Sequence, residues 1–178
     1  FKQAACYFRG AEFFMAPDHP RKQEAYDRFM EGFAKSNPEV EALRTSVSYA
    51  DGKLGIIDIP AVGHEKDIIL ACSGFDGLIE EMYSPLLPLA SDGYRVVLYE
   101  GTGQGSALRR SSLSMEYDWE KPVSTILDAM GITSCTLLGI SLGGYLAPRA
   151  AAFESKAKRL IAWGPMYEVF DCFRPRMG

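Results

Sequence analysis

"TLLGISLGGYLAPRAA", residues Thr136–Ala151, sets one serine between glycines where an apolar run meets a run of small residues. The stretch around its start, "SCTLLGI" (134–140), reads as a short buried strand, and the stretch from Leu142 onward reads as a helix. Gly139-Ile140-Ser141-Leu142-Gly143 is therefore a GxSxG pattern at a strand-to-helix junction. In that context the pattern is a nucleophile elbow rather than a glycine-rich turn with a helix-capping serine. Gly139 and Gly143 let neighbouring backbones pack against each other, and Ser141 is expected in a sparsely populated conformation that exposes its hydroxyl.

Outward from this turn the same alternation recurs. "DIILACSGFDG" (67–77) reads as a strand ending in glycines, "LIEEMYSPLLPLASDG" (78–93) as a helix, and "YRVVLYEGTGQG" (94–105) as a strand with a loop. "DWEKPVSTILDAMG" (118–131) reads as a helix and "KRLIAWG" (158–164) as a further strand. Strands alternating with helices predict right-handed βαβ crossovers, and hence an α/β fold with a mostly parallel sheet covered on both faces. Upstream, "TSVSYADGKLGIIDIP" (45–60) reads as strand, Asp51-Gly52 turn, strand. Residues 3–16 and 21–36 carry apolar residues at helical spacing, joined by "PDHP" (17–20), and form a helical arm.

The chain of 178 residues is 47% hydrophobic with a net charge of -4. That suffices for a sizeable core and offers no basic stripe for nucleic acid. No apolar run approaches the roughly 18 residues needed to cross a bilayer, and "FKQAACYFRG" (1–10) lacks the apolar core of a signal peptide. The expectation is a cytoplasmic protein with no membrane partner. Cys6, Cys72, Cys135 and Cys172 form no CxxC pair and have no nearby histidine, so reduced thiols and no metal site are expected.

An elbow needs donors for a developing oxyanion. One follows from the fold, the Leu142 N–H at the helix start. The second is expected from "CSGFDG" (72–77), where Gly74 permits close approach and the Phe75 N–H is the candidate. Asp76 is expected to cap the following helix, with Glu80 and Glu81 in its first turn. "EGTGQG" (100–105) gives a faint dinucleotide-fingerprint alternative, but its spacing is GxGxG and no helix is expected to start promptly. Gly101 and Gly103 are instead expected in a loop lining the site, and no cofactor is expected. Arg109 and Arg110 read as a solvated pair.

"CSGFDGLIEEMY", "YEGTGQGSALRR" and "LLGISLGGYLAPRAAAFE", with the helical arm in front, resemble the α/β-hydrolase superfamily. Within it the chain is similar to helical-capped intracellular hydrolases of the dihydroxypseudooxynicotine hydrolase and esterase-like fermentation-respiration switch group. The resemblance implies that Ser141 is the nucleophile, that Phe75 and Leu142 are the oxyanion positions, and that the amino-terminal helices contribute to a cap. Thr102 stands where that group has a proline, and Pro148 lies inside the helix after the elbow, where a kink is expected.

In this superfamily the chain order is Ser, acid, His, yet the two histidines, His19 and His64, both precede Ser141. His64 is expected at the far edge of the sheet and His19 in a turn. The expectation is thus a hydrolase fragment lacking its acid and histidine. Residues 1–44 are the arm, 45–164 the first part of the core, and 165–178 the start of a cap insertion. The substrate is expected to be a small molecule, an ester, an amide or a ketone with a cleavable C–C bond, and a homodimer is a compatible assembly. The alternative is a non-catalytic binding protein that keeps the pocket.

Overall fold

The computed structural model describes residues 1–174; the last four residues of the segment expected to open a cap insertion lie outside the described residues. The chain divides into two compact units, Phe1–Arg44 and Thr45–Gly178.

In the first unit, α1 (Lys2–Phe14) packs on α2 (Lys22–Ser36), followed by the short α3 (Pro38–Glu41). The crossing is close because Gly32 faces Ala5, and a Cβ on Gly32 would lie 3.0 Å from that of Ala5. Lys22 sends its Nζ to the carbonyls of Glu12 (2.6 Å) and Met15 (2.9 Å) at the C-terminal end of α1, where a cation complements the helix dipole. Glu12 is buried and accepts from Arg9 at 2.7 Å, so both cations neutralise one carboxylate inside the helix pair.

The second unit is built on six strands: β1 (Arg44–Tyr49), β2 (Gly52–Ile59), β3 (Asp67–Cys72), β4 (Tyr94–Tyr99), β5 (Cys135–Ile140) and β6 (Ala157–Trp163). Their order is β1-β2-β4-β3-β5-β6, with β3 parallel to β4 and β5, β5 parallel to β6, and β2 antiparallel to β4. Between them run α4 (Ile79–Ser91), α5 (Gly105–Arg109), α6 (Glu120–Ala129) and α7 (Gly143–Phe153), with α8 (Val169–Phe173) after β6. Side chains alternate across a strand, and β4 uses both faces. Val97 and Tyr99 join a core with Ala107 of α5, Ile126 of α6 and Leu146 of α7. Val96 and Leu98 are equally buried on the opposite face, where α4 packs on β4. Helices therefore cover both faces, as the strand–helix alternation predicts.

Two local expectations are corrected. The β1–β2 turn is made by Ala50 and Asp51, with Ala50 at φ 47°, and Gly52 already stands in β2. A Cβ on Gly52 would meet the Ser111 Cβ at 2.5 Å, so this glycine serves close packing rather than the turn. Asp76 does not cap α4. The Ser73 hydroxyl donates to the Gly77 carbonyl at 2.7 Å and prolongs the loop, so the cap position falls on Leu78. The Leu78 N–H donates to the Glu81 carboxylate at 3.0 Å instead.

Arg149 of α7, which the sequence reading passed over, makes a bidentate pair with Glu120 of α6 at 2.9 Å through both Nε and Nη2. Cys72 and Cys135 are buried free thiols, whereas Cys6 and Cys172 are exposed. Burial pushes the Cys72 thiol up to about 11 and, aided by Asp67, the Cys135 thiol up to about 12. The folded state thus keeps protons that an unfolded thiol releases near pH 9, and stability must fall as pH rises through that interval. A thiol reagent at pH 8 should modify Cys6 and Cys172 and spare the other two, while the urea midpoint declines between about pH 9 and 11. Rapid modification of all four thiols in folded protein would contradict this packing.

Candidate active site

The turn after β5 has the geometry that its glycines imply. Ser141 is exposed, has φ 59°, and connects Ile140, the last residue of β5, to Leu142, the N-cap of α7. Left-handed backbone costs a residue with a Cβ about 1–2 kcal/mol, so surrounding contacts must hold it. The Ser141 N–H donates to the Trp163 carbonyl at the end of β6 (2.9 Å), and the Ser141 carbonyl accepts the Gly144 N–H (2.8 Å). A Cβ on Gly139 would lie 1.9 Å from the Gly143 carbonyl oxygen. A Cβ on Gly143 would lie 2.8 Å from the Ser73 carbonyl oxygen and 3.0 Å from Cys72 Sγ. Strand, turn and helix are thus in backbone contact. No acceptor among the described residues takes the Leu142 N–H, which sits where a helix presents its unpaired donors.

Register brings a second loop alongside. In the parallel β3–β5 pair Cys72 is level with Gly139, so Ser73–Phe75 leaves the sheet beside Ile140 and Ser141. A Cβ on Gly74 would stand 2.9 Å from the Ser141 Cβ and 3.0 Å from its Oγ, so no other residue fits there without displacing the hydroxyl.

The third part is the loop after β4. A helix does start promptly, at Gly105, the last residue of "EGTGQG", contrary to expectation, although it lasts only five residues. Gly101 lies against the Trp119 ring, where a Cβ would be 2.2 Å from the indole, and Gly103 has φ 79° and lies against the Met115 backbone. These two glycines pack the loop shut. Thr102 accepts the Glu116 N–H through its hydroxyl at 3.3 Å. Glu100 is buried and accepts both the N–H and the hydroxyl of Ser106, the N–H at 2.8 Å. Gln104, not singled out from sequence, is buried, and its Nε2 donates to the carbonyls of Ser73 and Gly74, each at 3.0 Å. A long neutral amide between glycines of a closed loop was the one signal available for it.

A cavity of about 580 Å³ opens beside the turn, lined by Phe75, Leu142, Tyr145, Leu146 and Met115, with Glu116 as the one charged group. The Tyr49 hydroxyl donates to Glu116 at 2.5 Å, and burial together with that carboxylate pushes the phenol far above its usual range. Among the described residues no three of His, Cys, Asp and Glu gather closely enough to hold a metal ion, and no helix is long and apolar enough to cross a membrane.

His64 is exposed and precedes β3, whereas Ser141 follows the parallel β5. A strand of this length separates the two ends by about 20 Å. His64→Ala in the full-length protein should therefore leave turnover within about twofold of wild type; a loss of two orders of magnitude would mean that His64 lies at the serine's end of the sheet. His19 lies in the first unit, between α1 and α2, and its Nδ1 accepts the Arg21 N–H at 3.2 Å.

A mostly parallel sheet, covered on both faces, whose fifth strand passes through a left-handed serine into a helix defines a class of α/β protein with a serine displayed above the sheet. Residues 68–177 match the model of the alpha/beta hydrolase family, and the chain belongs to that family. It is 30% identical over 99% of its length to hydrolase acrC of Aspergillus aculeatus, covering 48% of that protein. It is 32% identical over 98% of its length to the 20-hydroxy-prefusarin hydrolase FUS2 of Gibberella moniliformis, covering 46% of it. Among solved structures, that of 2,6-dihydroxy-pseudo-oxynicotine hydrolase superposes with a TM-score of 0.80 at 22% identity, over 96% of this chain and 51% of that one. The chain thus spans about half the length of the curated relatives it matches.

Proposed function

We propose that this chain carries the nucleophile half of a serine hydrolase acting on a small molecule with a carbonyl group. The observation that carries the reading is Ser141 itself, exposed at φ 59° between glycines in backbone contact. Strain of this kind persists where the surroundings over-determine it, and at a strand–helix turn it projects the hydroxyl into the open. Membership of a hydrolase family supports the same reading. The Ser141 Oγ attacks the carbonyl carbon as its proton passes to a base, and the carbonyl oxygen becomes an anion that accepts hydrogen bonds from the N–H groups of Leu142 and Phe75. Collapse expels the leaving group, taking up a proton, and water then releases the acid from the acyl-enzyme. The leaving group is an alcohol, an amine or a carbon stabilised by a neighbouring ketone; the apolar cavity suits substrates that present a hydrophobic flank.

The base in this reading is a histidine that follows the serine in the full-length protein. Residues 142–178 contain none, His64 sits at the opposite end of the sheet, and the family order places acid and histidine after the serine. The 178-residue chain alone is therefore inactive in this reading. The amino-terminal helices contribute to a cap, and the protein works in the cytoplasm. A fluorophosphonate probe tests the core of the proposal in the full-length protein. Stoichiometric labelling mapped to Ser141 by peptide mass spectrometry supports it, and a folded protein that leaves the probe unreacted is a binding protein instead.

A further inference from the structure

We propose that Gln104 is a positioning residue that sets the direction of the oxyanion donor on the loop after β3. The proposal rests on the serine-hydrolase reading above and adds a residue to it. Gly74 has to be glycine, because any side chain there would strike the Ser141 hydroxyl. The same lack of a side chain removes the steric limits that would hold the peptide between Gly74 and Phe75 in one orientation. Something outside the loop must supply the missing stiffness.

Gln104 does so through one buried amide. Its Nε2 has two hydrogens, and the two acceptors are the Ser73 carbonyl and the Gly74 carbonyl, each at 3.0 Å. Its Oε1 accepts the Gly101 N–H, also at 3.0 Å. A trans peptide is planar, so its C=O and N–H point in opposite directions. Fixing the Gly74 carbonyl on Gln104 therefore turns the Phe75 N–H away from Gln104. Fixing the Ser73 carbonyl does the same for the Gly74 N–H. Two consecutive peptide planes are locked by one side chain that is not among those lining the cavity.

The clamp is itself anchored. Gln104 is the residue before α5, its carbonyl accepts the Leu108 N–H at 2.9 Å, and the Gly103 N–H donates to the Leu113 carbonyl at 2.8 Å. No other common side chain does the same work. A glutamate would press an anion on two carbonyl oxygens, and a lysine or arginine would bury a charge and offer no acceptor to Gly101.

Gln104→Glu and Gln104→Met, introduced separately into the full-length protein, test this with 4-nitrophenyl acetate and a fluorophosphonate. Loss of a whole oxyanion donor costs about 100–1000-fold, so mis-aiming one should lower kcat by roughly 30–100-fold. KM should stay within about twofold, and Ser141 should label to completion at a rate reduced by a similar factor. Rates are referred to labelled sites, so a variant that is merely less folded shows fewer sites with wild-type kcat, and that outcome overturns the proposal. Wild-type kcat in either folded variant, or a loss confined to KM, also overturns it. Failure of the wild-type protein to label at Ser141 is a separate result and removes the underlying reading instead. Methionine approximates the volume of glutamine without its hydrogen bonds, so the test survives if the glutamate variant does not fold.

Discussion

Ser141→Ala in the full-length protein is expected to abolish fluorophosphonate labelling and lower turnover of an activated ester by roughly 10⁴-fold or more, with the fold intact. Removing a nucleophile from a coupled set of catalytic groups costs far more than removing any one donor, and what survives is the background from the oxyanion site and binding. The fold should tolerate the change because the hydroxyl makes no hydrogen bond among the described residues, and alanine keeps the same Cβ at φ 59°. Ser141→Gly should be equally inactive yet more stable than the alanine variant by about 1 kcal/mol, since glycine alone adopts that φ without strain. Inactivity with raised stability separates the chemistry of the side chain from the cost of displaying it. Labelling of Ser141→Ala at the wild-type rate would mean that another residue reacts.

The largest structural effect is expected at Gly139. Its missing Cβ would stand 1.9 Å from the Gly143 carbonyl oxygen and 2.3 Å from the carbonyl carbon. Both are backbone atoms of a helix start that is itself wedged against Ser73 and Cys72, so no side-chain rotation relieves the overlap. Gly139→Ala should therefore cost roughly 3–5 kcal/mol, at the upper end for single substitutions. For a domain of this size that lowers the melting temperature by about 10 °C or more. Gly143→Val should be similarly damaging, because it meets the carboxyl end of β3 at Cys72 and Ser73. Gly10→Ala is the control: it lies within α1 with nothing within 4 Å, and there alanine should gain about 0.5–1 kcal/mol. A Gly139→Ala protein that melts with wild type would mean that strand and helix are not in contact.

The alternation of short apolar runs with amphipathic stretches was enough to place every strand from β3 to β6, because parallel strands read as short apolar runs and covering helices as longer amphipathic ones. Ser141 at a strand–helix junction was legible for the same reason, as was the need for glycine at 74, 139 and 143. What stayed hidden were contacts between distant segments. Asp51-Gly52 looked like a hairpin turn, yet Gly52 answers to Ser111, which no local pattern connects with it. Asp76 looked like a cap until the Ser73–Gly77 hydrogen bond moved the helix start two residues on. Gln104 gave up its meaning only once its amide was seen on Ser73 and Gly74, 31 and 30 residues away.

Those separations bear on how the molecule comes into being. The Ser141 N–H is held by Trp163 and the Gly74 carbonyl by Gln104, and each link closes a long loop before it returns any energy. Parallel pairing is slow for that reason, so helices form early while the four-stranded parallel stack waits for distant segments to meet. The left-handed serine cannot be held until β6 has docked. A nascent chain that has emerged only as far as α7 therefore carries the residues of the turn without its geometry, and the serine hydroxyl is displayed only by a sheet that has finished assembling.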